Sequence, residues 1–341
     1  MTAPRRRTPP APAAVEPERA NIFDAFDEDA LAEGCGTGPE IINADNWLCT
    51  EPPPHRPILL DTFDRGDKVA VIGGPKMRKS FFLLQCAVSL TTGRAFLCWG
   101  VPRPFRVLYV QPEIQEHHMH RRLKRMCDAL EIRNLESNLH IVNSRGFDGL
   151  DVTYYTSYAR RVNAEVVLFD PLYKFATGDE NSAMDMKPVL RNFDMLAKET
   201  GACVMYAHHD SKGDASRKSI SDRGAGSGVL ARDYDACITL TAHKHNPETA
   251  VINTLLRNYA PQDAFCATWE NGCFRLDDQA ATVTGTPTEN ETAFCEYVRE
   301  HPQAIDAEIA RAIGCDRSTA GRIRQRLRIT TATTARQNGI R

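Results

Sequence analysis

The sequence predicts an α/β protein: a mostly parallel sheet with helices on both faces, antiparallel strands at its carboxyl-terminal end, and a small all-α unit beyond it. Three observations carry this. Between residues 68 and 277, runs of β-branched and apolar residues alternate with stretches of helical periodicity, as in a parallel sheet covered on both sides. After residue 233 the helical stretches stop, and short strand-like runs follow one another across turns. Past a small, polar, threonine-rich segment at 278–290, apolar residues return at helical spacing.

In chain order, residues 1–20 are rich in proline and alanine with an Arg5–Arg7 run, the composition of a disordered tail. The extension to residue 54 has few periodic signals and ends in the extended connector Pro52–Pro54. A domain over 55–277 follows. Its expected strands are Val69–Ile72, Val107–Val110, His140–Val142, Val166–Asp170 and Cys203–Ala207, with helices near 79–92, 116–130, 151–163 and 186–200 between them. Cys237–Thr241, Val251–Leu256, Phe265–Glu270 and Phe274–Leu276 form the antiparallel extension. Residues 278–290 read as a linker to a small unit over 291–341.

Composition narrows the setting. At 341 residues, 42% hydrophobic and 25% charged, the chain has room for one large domain and one small one. A net charge of −2 makes no whole-chain case for nucleic acid, so that case rests on local patches. Eleven scattered cysteines with no C-x-x-C pair argue for reduced thiols, hence a cytoplasmic setting, and against a disulfide scaffold or zinc site. No apolar run approaches the roughly 18 residues of a membrane span, so no membrane partner is expected.

The chemistry starts at the first strand. Gly73, Gly74, Pro75, Lys76, Met77, Arg78, Lys79, Ser80 and Phe81 join it to an apolar-striped helix. Strand, glycine-bearing loop and helix with Lys-Ser at the loop's end is the arrangement that grips nucleotide phosphates, through backbone N–H groups and the positive helix end. Lys79 would reach the β- and γ-phosphates and Ser80 would hold Mg²⁺. Arg78 stands where the second glycine of G-x-x-x-x-G-K-S belongs. It fits there with a negative φ, adding positive charge; alternatively the loop binds nucleotide and turns it over poorly.

Ligands of parallel sheets lie beyond the carboxyl ends of the strands, which makes the strand ends informative. Glu113, after the second core strand, is placed to orient and deprotonate a water, or else is an acid opening a helix. Asp170 follows four apolar residues and suits an outer-shell role at Mg²⁺. His208 and His209 end the next strand; one is expected at the γ-phosphate and the other as structure. His117, His118 and His120 lack a cysteine or carboxylate to complete a metal set, and Asp61 and Asp64 read as capping or turn residues.

The order Gly73…Lys79-Ser80, Glu113, Asp170, His208-His209, then strands after a flexible loop, resembles the RecA-like P-loop ATPases over residues 55–277. Within them it is most similar to the RepA-type plasmid helicase group and its relatives on mobile elements. The resemblance implies ATP and Mg²⁺ as cofactors, and a homo-oligomer such as a hexamer with nucleotide between subunits. It also implies an arginine supplied by the neighbouring subunit, for which Arg257 is the candidate. Single-stranded DNA would run in a central channel, met by the loops Tyr173–Met184 and Asp210–Gly228, the second carrying Lys212, Arg217, Lys218 and Arg223.

The terminal unit opens on an amphipathic stretch at 291–300 with Phe294, Tyr297 and Val298 on one face. Ala310, Gly314 and Ile323 then match a helix-turn-helix, its second helix capped by Ser318 and carrying Arg322, Arg324, Arg326 and Arg328 toward double-stranded DNA. The alternative is a three-helix bundle that binds protein or oligomerises. Together these expectations describe an ATP-hydrolysing DNA-handling protein of a plasmid or mobile element, helicase-like or replication-initiating. The alternative is a nucleotide-gated DNA-binding regulator with slow or no hydrolysis. A small-molecule kinase would need neither the long second loop nor the helix-turn-helix.

Overall fold

The computed structural model describes residues 41–147, 151–176, 178, 182–209, 233–284, 287–327 and 329. The chain divides after Pro54 into two units. In the described part of the first there is one short helix, α1 (Ala44–Leu48), whose start is closed by the Asn43 side chain accepting from the Asp45 and Asn46 amides.

The second unit is built on a nine-stranded sheet in the order β11-β10-β9-β8-β3-β7-β6-β4-β5. Its strands are β3 (Lys68–Gly73), β4 (Val107–Gln111), β5 (Leu139–Asn143), β6 (Val166–Phe169), β7 (Cys203–His209), β8 (Ala236–Ala242), β9 (Thr249–Leu256), β10 (Phe265–Glu270) and β11 (Cys273–Leu276). A two-stranded ribbon of β1 (Pro57–Leu59) and β2 (Phe63–Asp64) precedes them. β3 to β8 run parallel, and β8, β9, β10 and β11 pair antiparallel in succession. This is the mixed, helix-covered sheet expected from the sequence.

Because side chains alternate along a strand, the continuous apolar runs serve two cores. Val69, Val71 and Tyr109 face α2 (Lys79–Thr92) and α3 (Glu116–Ala129). Ala70, Ile72 and Phe169 face α4 (Val152–Arg161) and α5 (Ala183–Thr200). Strand ends carry the chemistry, and they run longer than expected: β4 includes Gln111 and β7 includes both His208 and His209. Asp170 falls just past β6, and α5 begins at Ala183 because Ser182 caps it.

Three further helices follow: α6 (Glu289–Glu300), α7 (Asp306–Ile313) and α8 (Arg317–Arg326). α6 starts before residue 291 because Thr288 and Glu291 form a reciprocal capping box. The cap of α8 is Asp316, which accepts from the Thr319 amide, and not Ser318 as expected. Gly314, left-handed at φ 74°, ends α7. Phe294, Ile309, Ala320 and Ile323 give these helices their own apolar cluster. They are tied to the sheet by Glu291, fully buried, which pairs with Lys244 at 2.7 Å just beyond β8 and with Arg326 of α8. Among the described residues no helix is long and apolar enough to cross a membrane.

Candidate functional site

β3 ends at Gly73, where the backbone of β8 passes so close that a Cβ would lie 2.8 Å from the Leu240 carbonyl oxygen. Only glycine fits, and the chain turns from there into the loop that leads to α2. Lys79 opens α2 and is nearly buried. Its Nζ donates to the carbonyls of Gly73 at 2.7 Å and Gly74 at 3.1 Å, and lies 3.1 Å from His209 Nδ1. No side chain caps this helix and no acid stands in its first turn, so its positive end faces the loop uncompensated. Pro75 and Lys76 are exposed, and Met77 packs inward.

Arg78 departs from expectation. Its backbone is left-handed, φ 56° and ψ 33°, where a negative φ was expected. The guanidinium is also not a free charge over the loop: it donates to Glu248 at 2.6 Å and lies over the Trp269 ring at 5.2 Å. Left-handed backbone costs an ordinary residue roughly 1–2 kcal/mol. A half-exposed ion pair and a cation–π contact each return up to about 1 kcal/mol, so tether and strain nearly cancel. Two variants separate them. Arg78→Ala keeps the strain and loses the tether, whereas Arg78→Gly loses both, so urea unfolding is expected to place Arg78→Ala about 1 kcal/mol below Arg78→Gly. Phe81, further along, packs edge-to-face on Trp269 at 4.8 Å and has the Arg122 guanidinium over its ring at 4.7 Å.

Across the sheet from the loop, Asp170 is buried at 5% exposure. Its Oδ1 accepts from Ser80 Oγ at 3.0 Å and its Oδ2 from the Tyr109 hydroxyl at 2.6 Å. Burial raises its pKa above the ordinary carboxylate value, against the lowering pull of these two hydroxyls. Glu113 stands exposed at the rim, accepting from the Tyr173 hydroxyl at 2.9 Å. Gln111 shapes the turn beneath it: its Oε1 accepts from the amides of Glu113 at 3.3 Å and Ile114 at 2.9 Å. Ser80, Tyr109, Gln111, Glu113, Arg122 and Asp170 line one small cavity. The sequence reading missed Tyr109, Gln111, Arg122 and Tyr173. A tyrosine amid apolar strand residues reads as a strand former, and only the polar Gln111 before Pro112 offered a signal.

The two histidines separate. His208 is buried with an unpartnered Nδ1, and burial, His209 and Lys79 push its pKa down to about 4. His209 pairs in register with Gly73 and touches Lys79, so it is the one at the loop. Arg257 donates to Asp235 at 3.2 Å. Because β9 runs opposite to β8, Arg257 lies at the far edge of the sheet from the phosphate loop and does not join the site of its own chain. Of the expected nucleic-acid contacts, Lys212, Arg217, Lys218 and Arg223 lie outside the described residues. The first loop is, where described, a tight turn at Leu172–Phe175 and the start of α5. On α8, Arg322 is exposed, but Arg324 turns inward to Asp306 and the Ala304 carbonyl, and Arg326 is held by Glu291. Two of the four arginines expected on a DNA-facing surface therefore hold the helices together, and Arg328 lies outside the described residues.

A family model described as an AAA domain matches residues 40–215, just over half of the chain. Among solved structures, an ATPase domain is similar at 17% identity, covering 63% of this chain and 86% of that one with a TM-score of 0.49. The KaiC-like protein PH0186 from Pyrococcus horikoshii OT3 is similar at 15% identity, covering 64% and 93%, with a TM-score of 0.47. A DnaB-like replicative helicase, described with its interactions with primase, is similar at 16% identity, covering 62% of this chain and 57% of that one, with a TM-score of 0.48. Likenesses this distant carry no functional argument.

Proposed function

The chain belongs to the AAA-domain family, a family of P-loop ATPases, and we propose that it hydrolyses ATP with Mg²⁺ to drive work on DNA, as a helicase-like or replication-initiating protein of a plasmid or mobile element. The observation that carries the reading is the convergence of Lys79, Ser80 and Asp170: an ammonium on two loop carbonyls, and a hydroxyl 3.0 Å from a buried carboxylate behind it. A triphosphate entering the loop would take the place of the Gly73 and Gly74 carbonyls as the partner of Lys79.

The donor set fits Mg²⁺. Ser80 and Asp170 offer hard oxygens, and Asp170 is a buried carboxylate whose contacts are hydroxyls, not cations. Such an ion neutralises charge on the β- and γ-phosphates when bound. Ser80 would ligate it directly, with Asp170 accepting behind. Glu113, steadied by Tyr173 and by Gln111 under its turn, would orient the attacking water and take its proton. His209, hydrogen-bonded to Lys79, would sense the γ-phosphate through it. Arg257, remote from its own site, would serve a neighbour's, which calls for a RecA-like homo-oligomer of the RepA type, such as a hexamer.

DNA contacts would divide between the cations of loop 210–228, on single strands, and the α7–Gly314–α8 pair read as a helix-turn-helix, with Arg322 toward a duplex. The scattered cysteines support a cytoplasmic setting. The second reading, a nucleotide-gated DNA-binding regulator, is favoured by Arg78, whose tethered side chain and left-handed backbone restrict the approach of phosphate. Phosphate release with and without single-stranded DNA, together with strand displacement, separates the two. The motor reading expects stimulation by DNA of about tenfold or more, on the order of the rate factors positioning supplies. Binding without stimulated turnover favours the regulator.

A further inference from the structure

The turn between β8 and β9 touches the phosphate loop at one end and the carboxyl-terminal helices at the other. β8 runs beside β3 with Leu240 opposite Gly73, and it leaves the sheet at Ala242. Glu248, at the far end of the turn, accepts from Arg78 of the loop at 2.6 Å. Its backbone is fixed as well, since its carbonyl accepts from the amide of Trp269, over whose ring that guanidinium lies. At the near end His243 and Lys244 hold the stretch 281–284 that leads toward α6. His243 Nε2 lies 2.9 Å from the Ala281 carbonyl, and the Lys244 amide donates to the Val283 carbonyl at 2.9 Å. Lys244 Nζ then pairs with Glu291 of α6 at 2.7 Å.

The turn is braced from within. His243 Nδ1 accepts from the amides of His245 at 3.2 Å and Asn246 at 3.1 Å, so Nε2 carries the proton given to Ala281. Asn246 Oδ1 accepts from the Glu248 amide at 3.0 Å, and the Asn246 carbonyl from the Thr249 amide at 3.1 Å. Side-chain bonds to backbone therefore span the turn from His243 to Thr249, which lets it shift as one piece. Its two attachments differ in strength. Glu291 is fully buried, so losing Lys244 would strand a carboxylate away from water. The Glu248 side chain is 49% exposed, and a pair so open to solvent is weak. The contact with the phosphate loop is the one that gives way.

We propose that Glu248 is a positioning residue of the nucleotide site: it withholds Arg78 from the phosphates until nucleotide breaks the pair, and the turn passes that change to the carboxyl-terminal helices. The inference rests on the reading of the loop as a nucleotide site. Arg78 stands one position before Lys79, on a long side chain whose partner is a single half-exposed carboxylate. A triphosphate offers a guanidinium several charged oxygens in its place, and charge-assisted forks of that kind are the stronger bonds. Once Arg78 turns to phosphate, Glu248 no longer ties the turn to the loop. The helices act in the opposite direction. Docked through Glu291 and Lys244, they hold the turn where Glu248 meets Arg78. Nucleotide and docked helices therefore oppose each other, and by linkage each weakens the other by the same factor.

The test is titration of a fluorescent ATP analogue with Mg²⁺ into the full chain, Glu248→Ala, Arg78→Ala and the double variant. Glu248→Ala is expected to tighten the analogue by about fivefold or more, the usual size of a coupling between two sites. In the Arg78→Ala background the same substitution is expected to change nothing, because the side chain it releases is already gone. Glu248→Asp, which keeps the charge, is expected to return affinity toward wild type. A merely structural loss would weaken binding in both backgrounds. Hydrogen exchange reads the other end of the turn: in the unmodified protein the α6 amides are expected to exchange faster with analogue than without. In Glu248→Ala they are expected to exchange at the faster rate in both conditions. Affinity unchanged or weakened in Glu248→Ala, an equal change with and without Arg78, or α6 exchange that the analogue leaves unchanged overturns the proposal. If the unmodified protein binds no analogue, the nucleotide reading fails too; if it binds and these comparisons fail, only the role of the turn is lost.

Discussion

Lys79→Ala is expected to lower ATP hydrolysis by a factor on the order of 10³, read as phosphate release at saturating nucleotide. The size follows from the charges around the loop. Arg78 is committed to Glu248 and Trp269, and Lys76 stands exposed with a left-handed backbone, so Lys79 is the cation aimed at the loop's interior. Its ammonium already bridges two loop carbonyls and His209, the position a phosphate oxygen would take. Stability of the nucleotide-free protein should fall as well, because the Lys79 ammonium is the partner of the buried Gly73 carbonyl. Unchanged turnover with unchanged nucleotide affinity would remove the assignment of the site.

Asp170→Asn is expected to do two opposite things: cut turnover by a factor on the order of 10²–10³ and raise the melting temperature of the nucleotide-free protein. The first follows from losing the charge behind Ser80. The second follows from burial. A carboxylate with a raised pKa is one whose charged form the folded state disfavours, so at neutral pH the neutral amide relieves a cost. Hydrogen bonding survives, since the amide oxygen accepts from Ser80 and the Tyr109 hydroxyl has the Ser80 carbonyl at 3.3 Å as a second acceptor. A variant both less active and less stable would mean that Asp170 is structural. Calorimetry beside the phosphate assay decides it.

These two residues were legible because their meaning is local. Lys79-Ser80 follows a strand and opens a helix, and Asp170 is a charge at the end of an apolar run; both facts lie within a dozen residues of sequence. The alternation of strands and helices was equally legible, down to the antiparallel close after residue 233. What could not be read depends on distant partners. Arg78 is held left-handed beside Glu248, 170 positions away, and no local pattern encodes that contact. Choosing between His208 and His209 needed the register of β7 on β3. On α8 a basic helix was visible, but not that Asp306 and Glu291 engage two of its arginines. The Asp316 cap was the exception: Asp316 stood in the sequence as a capping residue two positions before Ser318, and Ser318 was simply the wrong choice of the two.

The account turns on where a nucleotide sits, and a crystal structure with Mg²⁺ and a non-hydrolysable ATP analogue tests that directly. The expected result is a triphosphate wrapped by residues 73–80, with Lys79 Nζ moved from the Gly73 and Gly74 carbonyls onto phosphate oxygen and the metal on Ser80 in front of Asp170. A nucleotide bound elsewhere, or a loop with Lys79 still on its own carbonyls at saturating analogue, would contradict it.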